Sequence, residues 1–402
     1  MDTIDRFTGR PWDALALFSG GLDSILAVKL LQEQGLRVLG LHYVSPFFGK
    51  PQLVDFWLRE YGIEAALVDV RRPYLDMLRA PEHGYGKHLN PCVDCKILML
   101  RHARELLPRL GAKFLVSGEV LGQRPMSQRG DTLNLIRKDA GVSELLLRPL
   151  SAQKFPKTPM EASGLVDRAR LPGFWGRGRR EQLDLAARFG ITDIPTPAGG
   201  CRLAEAEPAA RYLPILTHLA DPRTGDFRIT ELARQYWAGP YWLSIGRNEA
   251  ANQALEAACG PDDLRFRLRD FTGPLALGRH YAPKIARPGA SPQAWPRAVV
   301  EDAAAFAASY SPKARAEAEA GRSVAVLVLS GGGSDTVEVT PARSTPQPSQ
   351  DNRPLPGSVE VTPARSTPLG WTEPKTAAVN AWKRREEPDA GSSHCQPRPN
   401  RA

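Results

Sequence analysis

The stretch Ala16-Leu17-Phe18-Ser19-Gly20-Gly21-Leu22-Asp23-Ser24-Ile25-Leu26-Ala27-Val28-Lys29-Leu30-Leu31 decides the fold of the first half of the chain. An apolar run of strand length enters a pair of glycines and passes straight into a segment of helical period. Consecutive glycines allow a tight turn and close approach of an anion, and the free amides at a helix start favour bound phosphate. No Gly-Lys-Ser/Thr follows, so this is not the loop of a Walker-type nucleotide hydrolase. The plain alternative is a glycine turn in which Asp23 and Ser24 are ordinary capping residues.

On either side of this loop, residues 14–18 read as a buried strand, 23–34 as a helix ended by Gly35, and 37–43 as the next strand, which makes one βαβ unit. Further strands are predicted over 65–70 and 113–117, with helices over 95–110 and 181–189. Such alternation predicts an α/β fold, a doubly wound parallel sheet of the Rossmann-like kind, over residues 1–205. A smaller α+β domain is expected over 206–342, with strands at 241–245 and 324–329, a helix at 303–310, and Trp237 and Trp242 in its core. The glycine-rich run 330–335 reads as a hairpin turn leading into another strand. Residues 343–402 hold ten prolines in sixty positions and few aliphatics, so a disordered tail is expected. VEVTPARSTP occurs at 337–346 and again at 359–368, and two copies are too few to stack as a solenoid.

The 402 residues contain 53 Lys and Arg against 44 Asp and Glu, a net charge of +9 that permits a polyanionic partner. Five cysteines, an odd number without a signal-like leader, argue against a disulfide scaffold. With no apolar run long enough to span a bilayer, a cytoplasmic protein with no membrane partner is expected.

Three cysteines stand in chemically suggestive places. Asn90-Pro91-Cys92-Val93-Asp94-Cys95-Lys96 opens a predicted helix, and Ala198-Gly199-Gly200-Cys201 lies on a loop of the same domain. A helix start and Lys96 are expected to lower the thiol pKa values. Cys92 and Cys201 could form a nucleophile and persulfide pair that closes a disulfide on sulfur delivery, with Cys95 auxiliary. Alternatively, Cys92, Cys95 and Cys201 ligate a [4Fe-4S] cluster and leave one iron open. Burial as small hydrophobes is the plain reading, and it is the one adopted for Cys259 and Cys395.

The Ser19-Gly20-Gly21-Leu22-Asp23-Ser24 loop resembles the PP-loop of the ATP pyrophosphatases. Gly118-Glu119-Val120-Leu121-Gly122-Gln123, with Ser127-Gln128, Leu133-Asn134 and Arg148-Pro149-Leu150, is similar to stretches of the 4-thiouridine synthetase (ThiI) family. The NPCxxC box is similar to that of the 2-thiouridylases of the MnmA type. This resemblance, over residues 12–205, implies ATP binding by Ser19, Gly20, Gly21, Asp23, Ser24, Gly118 and Gln123, with Mg2+ near Asp23. It also implies catalytic roles for Asp23, Cys92 and Cys201. In the second domain, Trp242-Leu243-Ser244-Ile245-Gly246-Arg247-Asn248 and Ser311-Pro312-Lys313-Ala314-Arg315 resemble the NFACT-R type RNA-binding domain. Arg247, Lys313 and Arg315 would then contact phosphates. A basic and aromatic stretch over 168–180, with Phe174, Trp175, Arg177, Arg179 and Arg180, has the composition for stacking and phosphate contact with RNA.

The expected activity is an ATP-dependent tRNA sulfurtransferase that adenylates a uridine and replaces its carbonyl oxygen with sulfur, making 4-thiouridine or 2-thiouridine. The sulfur donor would be a cysteine desulfurase, a persulfide carrier or sulfide. Two rivals are an RNA-binding adaptor with a vestigial loop and a PP-loop ligase for a small metabolite. ATP turnover separates the first; the second has no need of the cysteines or the basic domain.

Overall fold

The computed structural model describes residues 2–195, 200–219, 221–281, 295–330, 357–364 and 366–386. The chain gathers into two compact units, Met1–Glu205 and Ala206–Ala402.

In the first unit the elements run β1 (Ala14–Leu17), α1 (Leu22–Gln32), β2 (Val38–Val44), α2 (Val54–Tyr61), β3 (Ala65–Asp69) and α3 (Arg71–Arg79). They continue as α4 (Cys92–Leu110), β4 (Phe114–Ser117), α5 (Gly130–Asp139), β5 (Leu146–Leu147), α6 (Pro159–Ala162) and α7 (Arg180–Arg188). The sheet is wholly parallel in the order β3-β2-β1-β4-β5. Ala14 sits between Val38 on one side and Phe114 on the other, so β1 is central and buried throughout. A strand covered on both faces has no polar alternation, which is why the run into Phe18 is continuously apolar. The predicted doubly wound sheet is the one that forms. From β1 the sheet grows first through β2 and β3, then on the opposite side through β4 and β5. Such a reversal opens a crevice at the carboxyl ends of β1 and β4, the place where open α/β sheets bind ligands.

Predicted bounds shift slightly. The helix expected from residue 95 begins at Cys92, so both cysteines of the box lie in the first turn of α4.

The second unit contains α8 (Ala206–His218), α9 (Thr224–Leu232), β6 (Ala233–Ala238), β7 (Tyr241–Gly246), α10 (Glu249–Ala257), β8 (Leu264–Leu268) and β9 (Ala276–His280). After these come α11 (Arg297–Ala308), α12 (Pro312–Glu319), β10 (Val324–Ser330), β11 (Gly357–Val361) and α13 (Thr376–Glu386). Its antiparallel sheet has the order β11-β10-β8-β9-β7-β6, and α11 packs against it through alanines, valines and Phe306. Trp237 and Trp242 are buried and stacked, with centroids 5.1 Å apart.

Here the expectation of a disordered tail from residue 343 is corrected over residues 357–386. Gly357–Val361 pairs with β10 as the edge strand, Val324 facing Val361. Asp302 of α11 accepts from the Thr367 hydroxyl at 2.8 Å, the Leu369 amide at 3.0 Å and Trp371 Nε1 at 2.7 Å. Composition misleads because one strand, one tryptophan and one buried carboxylate suffice to dock a proline-rich segment. The run after Ser330, including the first VEVTPARSTP copy, lies outside the described residues, as does Cys395. No helix among the described residues is long and apolar enough to cross a membrane.

Candidate active site

The loop after β1 is fixed from beneath. His42 is buried between the Phe18 carbonyl, 2.9 Å from Nδ1, and the Lys50 amide, which donates to Nε2 at 2.7 Å. An acceptor on one side and a donor on the other select the neutral ring protonated at Nδ1, and burial lowers the His42 pKa in the same sense. Gly20 has φ +72°, and a Cβ there would lie 2.2 Å from Cζ2 of the buried Trp57, so only glycine fits. The Ser24 hydroxyl donates to the Gly21 carbonyl at 2.8 Å and lies 3.4 Å from the Ser19 hydroxyl. At the start of α1 the Ser24 amide donates to the Gly21 carbonyl at 3.0 Å and the Gly21 amide to the Ser19 hydroxyl at 3.3 Å, which leaves the amides of Leu22 and Asp23 for a ligand.

Asp23 projects from that turn with Oδ1 buried and accepting no hydrogen bond. Burial raises its pKa; the Gln123 amide and the guanidinium groups of Arg179 and Arg124 oppose the rise. The Gln123 side-chain oxygen is likewise buried without a partner. An acceptor left orphaned in a positively charged crevice fits a site for a cation with its phosphates.

In the same unit, three thiols lie within electrostatic reach of Tyr74. The Cys92 thiol donates to Asn90 Oδ1 at 3.0 Å. Cys92, Cys95 and Cys201 each act on the buried phenol of Tyr74, and Cys95 and Cys201 act on each other. The expected lowering of the thiol pKa values is corrected. Lys96 does pull Cys92 and Cys95 down, but burial outweighs it: Cys92 is raised, Cys95 is pushed up to about 12 and Cys201 to about 11. No disulfide joins them; all three are free thiols. Three thiols from α4 and a distant loop match an iron-sulfur cluster in ligand type and number, but among the described residues their sulfurs do not all lie within 4.8 Å of one another.

Charged residues brace this corner. Buried Glu119 meets Arg148 Nε at 3.2 Å and Lys96 Nζ at 3.7 Å, tying the end of β4 to the first turns of α4. The His83 ring is held between Asp94 at 3.0 Å and Asp139 at 3.2 Å, so its pKa is raised despite partial burial.

The basic and aromatic stretch divides. Phe174 is a core residue at 9% exposure, whereas Trp175 is 67% exposed. The Gly176 amide donates to the Leu121 carbonyl at 2.8 Å, which seats Trp175 beside the turn carrying Gln123. Arg179 reaches the field of Asp23, while Arg177 and Arg180 are exposed.

In the second unit, Arg247 lines a polar cavity of about 660 Å³ with Arg234, Tyr236, Asn252, Tyr310 and Glu373. Lys313 and Arg315 are exposed on α12 and are not among its lining residues.

Sequence reasoning missed Trp57, His42, Tyr74 and Arg124. Arg124 directly follows the GEVLGQ stretch, the one signal that could have found it; the others are core aromatics and a core histidine that only topology brings to the loop.

Residues 9–155 match the family model described as "Thiamine biosynthesis protein (ThiI)". The "Probable tRNA sulfurtransferase" of Thermococcus kodakarensis is 30% identical over 131 residues, 31% of this chain and 34% of that protein. A second "Probable tRNA sulfurtransferase", from Methanothermobacter thermautotrophicus, is 30% identical over 216 residues, 51% of this chain and 48% of that one. The "tRNA-specific 2-thiouridylase MnmA" of Nitratidesulfovibrio vulgaris is 33% identical over 205 residues, 46% of this chain and 52% of that protein. The chain thus spans about a third to a half of the length of these relatives. Over residues 9–155 the first unit is thus similar to proteins of the ThiI type, in a parallel α/β sheet with a glycine loop after its central strand.

Proposed function

We propose that the protein is an ATP-dependent tRNA sulfurtransferase. The observation that supports this reading is Arg124, whose charge acts on both Asp23 and Cys92, as a cation shared by the phosphate loop and the thiols would. An activating loop and a sulfur-handling cluster with a shared cation are what a reaction needs when it first activates an oxygen and then replaces it. Binding of ATP falls to Ser19, Gly20, Gly21 and Ser24, with Mg2+ at Asp23 and Gln123 alongside. Gly118 acts by its lack of a side chain. The uridine carbonyl oxygen attacks the α-phosphorus and pyrophosphate leaves; sulfur then displaces AMP at the same carbon. First-turn amides of α1, Arg124 and Arg179 stabilise the charge that develops on the phosphates.

Cys92, Cys95 and Cys201 hold a [4Fe-4S] cluster in this reading. A cluster on three thiolates supplies an iron with an open position for sulfide. A persulfide carrier, a cysteine desulfurase or free sulfide would deliver the sulfur. Exposed Trp175 stacks on a base of the tRNA with Arg177 and Arg180 on its phosphates, and the second unit adds Arg247, Lys313 and Arg315 as an RNA-binding domain. Similarity to both ThiI and MnmA relatives leaves 4-thiouridine and 2-thiouridine as the two products to distinguish.

Nucleoside mass spectrometry of tRNA incubated with protein, ATP and sulfide tests the whole reading. Asp23→Ala is expected to lose tRNA-dependent pyrophosphate release with an unchanged melting curve. Undiminished release would remove Asp23 from the mechanism.

A further inference from the structure

The cavity of the second unit has two chemically distinct ends. At one end Arg234 and Arg247 reach across each other's strands: Arg234 Nη1 donates to the Gly246 carbonyl at 3.3 Å, and Arg247 Nη2 points at the Ala233 carbonyl at 3.5 Å. Burial and the charges of Arg211 and Arg234 all depress the Arg247 pKa. Glu207 is already ion-paired with Arg211, and Glu249 also lines the cavity. Cations gathered this way repel one another until an anion enters between them.

The other end is an acceptor. The Tyr310 hydroxyl donates to the Tyr236 hydroxyl, which donates to Glu373 Oε1 at 2.7 Å. Because both tyrosine protons point along this relay toward the carboxylate, Glu373 can only accept from a ligand. Its second oxygen accepts no hydrogen bond among the described residues. A lone phosphate would satisfy the arginines and leave Glu373 facing an anion, which is unfavourable. The ligand that suits both ends carries a negative group and, a few ångströms away, a hydroxyl donor. A cavity of about 660 Å³ is large enough for one nucleotide.

We propose that this cavity takes one ribose-phosphate unit of single-stranded RNA, its phosphate between Arg234 and Arg247 and its 2′-hydroxyl donating to Glu373. By this contact the protein distinguishes RNA from DNA, since the 2′-hydroxyl is the group DNA lacks. The inference rests on the reading of the second unit as an RNA-binding domain and adds where and how the sugar is recognised. It also gives the docked tail a task, because Glu373 lies two residues after Trp371 in that segment.

The test uses the full chain and three probes of equal length: oligouridylate, oligodeoxyuridylate, and oligouridylate methylated at every 2′-oxygen, with binding read by fluorescence anisotropy. RNA is expected to bind about tenfold more tightly than DNA, the size of one hydrogen bond to a charged group. The methylated RNA, which cannot donate, falls to the DNA level without any change to the protein. Glu373→Leu, which removes the acceptor, brings the ratio toward one, whereas Arg247→Gln weakens both polymers and flattens their salt dependence. Equal binding of RNA and methylated RNA, or a ratio untouched by Glu373→Leu, overturns the sugar contact. Uridine monophosphate binding as tightly as the oligomer would reassign the cavity to free nucleotides. No binding of either polymer at low salt overturns the RNA-binding reading itself, an outcome distinct from RNA binding without discrimination.

Discussion

A Cβ placed on Gly118 would lie 2.5 Å from the Asp23 carbonyl oxygen and 2.7 Å from the Ser24 amide. The end of β4 is therefore in backbone contact with the first turn of α1, and the crevice at the switch point has a floor with no room for a methyl group.

Gly118→Ala is accordingly expected to destabilise the first unit by roughly 1–3 kcal/mol, as overpacking does, and to displace the loop that carries Asp23. Thermal unfolding and pyrophosphate release should both fall. An alanine variant with wild-type values in both would show that the contact is slack.

His42 gives a pH dependence with a defined sign. Its folded pKa is lowered by burial below the ordinary value of about 6.5. Its contribution is therefore complete above that value and is lost as pH falls through the folded one, when a proton on Nε2 would face the Lys50 amide. Urea unfolding between about pH 7.5 and about pH 5 should show stability falling with acid, and His42→Gln should flatten that slope. A slope unchanged in the variant assigns the acid lability to other groups.

Ending the chain at residue 356 removes β11, exposes the edge of β10 and strips Asp302 of three donors. A buried carboxylate left unpaired costs about 1–3 kcal/mol or more, so the second unit should melt several degrees lower and aggregate through its open edge. Asp302→Asn in the full chain should reproduce part of the loss; melting curves unaffected by both changes would mean that the tail does not contribute to packing.

The cysteine chemistry is decided by iron. Anaerobically purified protein should be brown with broad absorption near about 400 nm, and alanine at Cys92, Cys95 or Cys201 should lower both iron content and thiolation. An iron-free, colourless preparation that thiolates tRNA, with Cys95→Ala still active and a Cys92–Cys201 disulfide accumulating, would establish the persulfide cycle instead.

The first unit was legible where one physical cause dominates. A central strand covered on both faces has no freedom but to be apolar, and a phosphate loop has no freedom but to be glycine-rich, so residues 16–31 carried the parallel sheet. The Cys92–Cys95 box announced sulfur chemistry by spacing, yet the sign of the pKa shifts depended on burial around Tyr74, which no local pattern encodes. The short β5, Leu146–Leu147, is too brief to show a period. Phe174 and Trp175 are neighbours of the same type with opposite fates, set by backbone bonds of Phe174 to Leu150 and Ser151 and of Gly176 to Leu121 that no local pattern encodes. Composition averages over sixty residues, whereas the docking of the tail rests on a few particular contacts: the pairing of β11 with β10, the paired backbone bonds between Trp237 and Thr372, and the three bonds to Asp302.

Those three bonds also settle an ambiguity written into the chain. VEVTPARSTP occurs twice, so the sheet edge is offered two identical candidates for a single berth. The nearer copy has the shorter loop to close, an entropic advantage that grows only slowly with the difference in length. Of the donors to Asp302, Thr367 has its counterpart in the nearer copy, but Leu369 and Trp371 lie beyond the repeat. The strand that pairs is thus chosen by residues outside the duplicated text: an address label carried downstream tells two otherwise indistinguishable segments apart.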